Sequence, residues 1–76
     1  MNDFENNIQG DIDKIIEEII KVRKKKGMSQ LQVAKECDVP APTISRLESF
    51  TVEPKVSTLI KICNVLGLKI TCQFKK

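Results

Sequence analysis

The stretch Ser29 to Glu48, SQLQVAKECDVPAPTISRLE, constrains this chain more than any other part of it. It reads as a short helix, a tight turn and a second short helix. Ser29 is a good N-cap, and Gln32 three residues later completes an S-x-x-Q capping box. Met28 and Val33 can form the hydrophobic staple that fixes the entry angle. Val33, Ala34 and Cys37 share one side at helical spacing, a stripe for burial. Asp38 to Pro42 interrupts it, because a proline inside a helix loses a hydrogen bond and clashes with the preceding turn. In a first turn proline is welcome, so Pro40 and Pro42 can open the next helix. Ile44 and Leu47 supply the buried side of that helix. Its opposite side carries Pro42, Ser45, Arg46 and Ser49, with Thr43 at the edge. Helices this short are unstable alone, and a small, donor-bearing outer face suits a groove better than a core.

The rest of the chain frames this pair. Asp11 to Lys26 predicts an amphipathic helix with Ile12, Ile15, Ile16, Ile19, Ile20 and Val22 on one broad stripe, stopped by Gly27. Phe4 and Ile8 continue the stripe, so residues 1–10 form a frayed or helical lead-in across Gly10. Phe50 to Lys55 is a loop, and Pro54 opens a further helix ending at Leu66 before Gly67. Its predicted buried stripe is Val56, Leu59, Ile60, Cys63 and Leu66, with Ile62 and Val65 turned away toward a second buried surface. From Leu68 the pattern switches to period two, with Leu68, Ile70, Cys72 and Phe74 on one face, which predicts a strand. A lone strand leaves its backbone unpaired, so its expected partner is a second copy across a two-fold axis. Residues 1–10, 11–67 and 68–76 are thus expected to be a lead-in, a compact helical domain and a dimerisation strand.

Seventy-six residues allow one domain, which buries only about 60% of its unfolded surface and gains from self-association. No apolar run approaches the length of a membrane helix, and the acidic start does not resemble a signal peptide. Three irregularly spaced cysteines predict reduced thiols in a cytoplasmic protein. Without histidine, no metal site, cofactor or enzymatic activity is expected. Charge is unevenly divided: residues 1–20 hold six acids and one base, net −5, and residues 21–76 hold twelve bases and four acids, net +8. The larger part would be drawn to a polyanion. Lys24, Lys25 and Lys26 fit either that role or a solvated helix end complementing the helix dipole.

From Ile12 to Gly67 the chain resembles the helix-turn-helix domain of phage repressors and of the xenobiotic-response-element family of bacterial regulators. The matching pieces are IIKVRKKKGMSQ (Ile19 to Gln30), VAKECDV (Val33 to Val39), TISRLES (Thr43 to Ser49) and PKVSTLIKICNVLGL (Pro54 to Leu68). The added C-terminal strand looks like that of antitoxins in this family, where it pairs across a dimer. The resemblance implies an all-α, four- to five-helix repressor-like domain with a short strand joining two copies. It implies major-groove reading of DNA by Ala41, Pro42, Thr43, Ser45 and Arg46, and a phosphate contact by Gln30. Arg23 and Glu48 match a pair that commonly forms an internal ion bridge. Glu48 independently sits at the edge of the Ile44/Leu47 face, where an unpaired carboxylate is costly.

The chain departs from the family pattern in three places. Ala41 and Pro42 stand where base-reading side chains are common, Phe50 replaces the usual glycine after the third helix, and Leu31 is usually polar. Affinity is therefore expected to lean on phosphate contacts from Gln30, Thr43, Lys24, Lys25, Lys26, Thr51 and Lys55. The dimer interface is expected at Ile62, Val65, Leu68, Ile70, Cys72 and Phe74. The expected function is a homodimeric, sequence-specific repressor on a pseudo-palindromic double-stranded DNA operator. The alternative is an antitoxin that binds a protein toxin and represses its own operon.

Overall fold

The computed structural model describes residues 3–70, with side chains from residue 10 onward. Four helices follow one another: α1 Asp3–Lys25, α2 Gln30–Cys37, α3 Ala41–Glu48 and α4 Val56–Leu66. The lead-in is helical from Asp3, so α1 crosses Gly10 without a break. A glycine there costs about 1 kcal/mol relative to alanine, yet the helix continues on both sides of it. At about 1.5 Å per residue α1 is roughly 35 Å long, close to the 38 Å longest dimension of the molecule. Among its described side chains, Ile16 is the first that is fully buried.

The core forms where the stripes of the four helices converge. Ile16 and Ile19 from α1 meet Val33, Ala34 and Cys37 from α2, together with Ile44 and Leu47 from α3. Leu59, Ile62, Cys63 and Leu66 from α4 complete it. The Ser29 capping box is present in both directions: Gln32 N donates to Ser29 Oγ at 3.0 Å and Ser29 N donates to Gln32 Oε1 at 2.8 Å. Pro40 precedes α3 in extended conformation and Pro42 lies in its first turn, as proline's missing donor and fixed φ favour.

All four helices end in the same way. Just past each helix lies a left-handed residue: Gly27 (φ 70°), Asp38 (φ 58°), Phe50 (φ 61°) and Gly67 (φ 75°). In each case two successive N–H groups reach back to carbonyls of the last turn. Met28 N to Arg23 O and Gly27 N to Lys24 O close α1, and Thr51 N to Arg46 O and Phe50 N to Leu47 O close α3. This is the Schellman arrangement, which satisfies carbonyls that a helix end leaves open. Glycine adopts it freely and asparagine or aspartate tolerate it, whereas a phenylalanine pays steric strain there.

The structure corrects the expected orientation of α4. Ile62 is fully buried at 0% exposure, while Val56 and Ile60 are 70% and 44% exposed; Val65 is half-buried. The helix carries apolar residues almost all round, so its period alone does not choose a face. Packing against both α1 and α2 selects the seam Leu59, Ile62, Cys63 and Leu66. Ile62 therefore belongs to the subunit's own core and leaves the expected dimer interface. Leu68 to Ile70 carry no strand, and Cys72 and Phe74 lie outside the described residues. Among the described residues no helix is long and apolar enough to cross a membrane.

Candidate nucleic-acid interface

α2 and α3 pack on each other through Val33, Ala34 and Cys37 against Ile44 and Leu47, joined by the short turn at Asp38 to Pro40. With Ile44 and Leu47 fully buried, Pro42, Ser45, Arg46 and Ser49 are left exposed on the outer side of α3. Of the five residues expected to read bases, Pro42, Ser45 and Arg46 thus face solvent. Ala41 packs against the core edge. Thr43 is half-buried beside a cleft of about 300 Å³ walled by Val39, Pro40, Leu47 and the α3–α4 loop.

A buried ion pair sets the position of α3. Arg23 Nε donates to Glu48 Oε2 at 2.7 Å and Arg23 Nη2 donates to Glu48 Oε1 at 2.8 Å, a bidentate fork. The two side chains are only 11% and 6% exposed. The third guanidinium nitrogen, Nη1, donates to the Met28 carbonyl at 2.8 Å. Gln30 Nε2 donates to Glu48 Oε1 at 3.0 Å. One carboxylate at the end of α3 therefore ties down the end of α1 and the start of α2. Planar, paired donors of this kind give geometric definition as well as energy. Sequence reading reached Arg23 and Glu48 but not Gln30, because no spacing rule links a residue at the start of one helix to the end of the next.

The expected phosphate contacts divide into engaged and open groups. Gln30 is half-buried and already bonded to Glu48. Thr51 Oγ1 donates to the Arg46 carbonyl at 3.1 Å and lies 3.0 Å from Ser49 Oγ, which also donates to that carbonyl at 3.0 Å. These bonds pin the turn after α3 rather than leaving its hydroxyls open. Lys24, Lys25, Lys26 and Lys55 are exposed. Lys26 Nζ lies 3.6 Å from where a Cβ on Gly67 would stand, which places this cation at the C-terminal end of α4, where positive charge is favoured.

Two buried thiols complete the chemistry. Burial pushes Cys63 above its ordinary value of 9.0. Burial chiefly, with help from Glu36 and against Lys61, does the same for Cys37. Such thiols are inert packing groups rather than nucleophiles.

The sequence profile of the helix-turn-helix family matches residues 19–71. The chain is also similar to Antitoxin HigA1 of Mycobacterium tuberculosis, from strain CDC 1551 / Oshkosh and from strain ATCC 25618 / H37Rv. Each is 33% identical over 57 residues, covering 75% of this chain and 38% of the relative. The chain thus spans well under half the length of these curated relatives. No solved structure matches it significantly. With two packed short helices, an outward-facing third helix and a match across most of its length, the chain belongs to the helix-turn-helix family of the xenobiotic-response-element type, whose members are DNA-binding regulators.

Proposed function

We propose that the protein is a homodimeric, sequence-specific DNA-binding repressor that places α3 in the major groove. The observation that carries this reading is the outer face of α3, where Pro42, Ser45 and Arg46 stand exposed on a helix locked by the Arg23–Glu48 pair. Arg46 is the principal base reader, since a guanidinium can grip a guanine edge in a bidentate manner. Ser45 adds a flexible donor and acceptor, Pro42 an apolar contact suited to a thymine methyl, and Thr43 a contact at the edge of the helix. Ala41 contributes less than its position suggests, because its methyl packs partly against the core.

Phosphate contacts supply most of the affinity. Lys24, Lys25 and Lys55 are the open cations, and Lys26 joins them if it leaves the end of α4. Gln30 offers its remaining amide hydrogen, whereas Thr51 has both its N–H and its hydroxyl engaged with the Arg46 carbonyl and supports the turn instead. Two copies about a two-fold axis would present two α3 helices to successive major grooves about 34–36 Å apart, so the operator is a pseudo-palindrome. Three or four cationic contacts per copy give a slope of log affinity against log salt of roughly −5 to −7 for the dimer. The test is to select an operator with purified protein, titrate salt, and then replace thymines facing Pro42 by uracil, which removes only the methyl. A flat salt response would remove the phosphate contribution, and unchanged affinity for the uracil operator would remove the methyl contact.

A second reading is favoured by the similarity to Antitoxin HigA1: the protein neutralises a protein toxin and represses the operon that encodes both. Co-purification with the product of a neighbouring reading frame, together with loss of that product's toxicity, would test it.

A further inference from the structure

Phe50 stands in a backbone conformation that its side chain does not favour. Among the described residues only two that are not glycine have positive φ, Asp38 and Phe50. Aspartate tolerates the left-handed region, whereas a bulky aromatic there is an outlier. Burial does not offset the strain, because Phe50 remains 47% exposed. Local bonding holds it instead. Phe50 N donates to the Leu47 carbonyl at 3.2 Å, and Thr51 N, Thr51 Oγ1 and Ser49 Oγ all donate to the Arg46 carbonyl. Strain that the core does not require, and that neighbouring bonds over-determine, is characteristic of residues kept for contact rather than for folding.

The position of Phe50 indicates what it touches. Its turn is bonded to the carbonyl of Arg46, the proposed base reader, so the two move as one piece. The loop then passes beside the other end of α3, where the exposed Val52 shares a cleft with Thr43. Turn and loop therefore border the reading helix at both ends and continue its outer side with apolar surface. Recognition helices present mainly their N-terminal part to base edges, which sets the turn closing α3 toward the rim of the groove. Between Arg46 and Lys55 the only charged residues are Glu48, held in the buried ion pair, and Glu53. An attraction made by this turn is thus apolar rather than ionic.

We infer that Phe50 is a DNA contact particular to this chain, its ring packing on a thymine methyl or the adjoining deoxyribose at the edge of the half-site. The inference rests on the DNA reading above and deepens it, since phenylalanine can read a thymine through its methyl. DNA is chosen over a protein as the occupant because seating α3 in the groove brings this turn against the strand with no rearrangement.

Thermal melts and isotherms on the selected operator test the assignment with Phe50→Gly and Phe50→Asn in the full chain. Both replacements accept a left-handed φ, so both should melt above the wild type. Both lose the ring, so both should bind the operator about tenfold more weakly. Asparagine leaves the turn stiffer than glycine does, so an equal loss in the two assigns it to the ring and not to a loosened loop. Phe50→Leu should keep most of the affinity and show no gain in melting temperature. The slope of log affinity against log salt should match the wild type, because no phosphate contact is removed. Uracil in place of the flanking thymines separates the two sources. If it weakens the wild type but not Phe50→Gly, the ring lies on the methyl; if it weakens neither, on the sugar. Glycine and asparagine variants that bind as tightly as the wild type, while Arg46→Ala loses the operator, would overturn the inference and leave the DNA reading standing. Loss of a co-purifying protein with operator affinity intact would do the same and assign the ring to that protein. Variants that melt below the wild type would assign the ring to the fold and also overturn the inference. A wild type that selects no operator would sink both.

Discussion

Replacing Arg23 by alanine should be among the most damaging single changes in this chain, although composition alone would count Arg23 as one more surface cation. The guanidinium makes three hydrogen bonds, two to Glu48 and one to the Met28 carbonyl, at 2.7 to 2.8 Å. Without it Glu48 keeps only the amide of Gln30 as a partner, at a side chain 6% exposed. Stranding a buried charge in this way costs about 3–5 kcal/mol. Water entering the space left by the side chain would moderate the loss, so about 3 kcal/mol is expected. For a domain of this size each kcal/mol shifts the melting temperature by roughly 4–8 °C, giving a fall of about 12–24 °C. Arg23→Lys should lose about half as much, because an ammonium keeps the charge but not the planar fork. Thermal and urea unfolding of Arg23→Ala, Glu48→Ala and the double variant would measure the coupling. Arg23→Met with Glu48→Leu should recover most of the loss, since removing both charges strands no charge and leaves only the Met28 carbonyl and the half-buried Gln30 amide to find new partners. A loss below about 1 kcal/mol for Arg23→Ala, additive with Glu48→Ala, would refute the reasoning.

Three further outcomes are expected. Arg46→Ala, on the exposed side of α3, should melt as the wild type does yet lose about 1–3 kcal/mol of specific binding in isotherms on the selected operator; a melting loss matching that of Arg23→Ala would count against the division of roles. Phe50→Gly should raise the urea midpoint by about 0.5–1 kcal/mol of stability, because relief of the left-handed strain exceeds the entropic cost of glycine; the ring is 47% exposed, so little packing is lost. Finally, both described thiols have their folded-state pKa raised by burial above 9.0. A raised value means that the folded state prefers the neutral thiol, so this contribution is complete below pH 9 and is lost as pH climbs through the folded-state value. Urea midpoints at pH 8 and pH 10 should therefore fall more for the wild type than for Cys37→Ala/Cys63→Ala, and equal falls would exclude the effect.

Much of this molecule is determined locally, and those parts were legible in the sequence. Ser29 with Gln32 dictates where α2 starts, since the capping box needs only residues within one turn. The prolines at 40 and 42 separate α2 from α3 by a constraint on φ and a missing donor. Gly27 and Gly67 mark two helix ends because a left-handed residue is cheapest as glycine. Ile44 and Leu47 define the inner side of α3, and with it the outer face that carries Arg46.

The remaining features depend on what each element meets in space. α4 is apolar nearly all round, so only its seat against α1 and α2 buries Ile62 and exposes Val56 and Ile60. The end of α3 takes the same left-handed turn as the glycine-ended helices although Phe50 occupies it, because Phe50 N bonds the Leu47 carbonyl while Thr51 N and the Ser49 and Thr51 hydroxyls hold the Arg46 carbonyl. Gln30, which reads as a free phosphate ligand, is drawn to Glu48 by a carboxylate eighteen residues away in sequence. Caps, breakers and amphipathic stripes act over one turn of helix and can be read from neighbouring residues. The choice of face on an all-round apolar helix, and of partner for a polar group with several possibilities, is made by burial and charge brought together only when the helices pack.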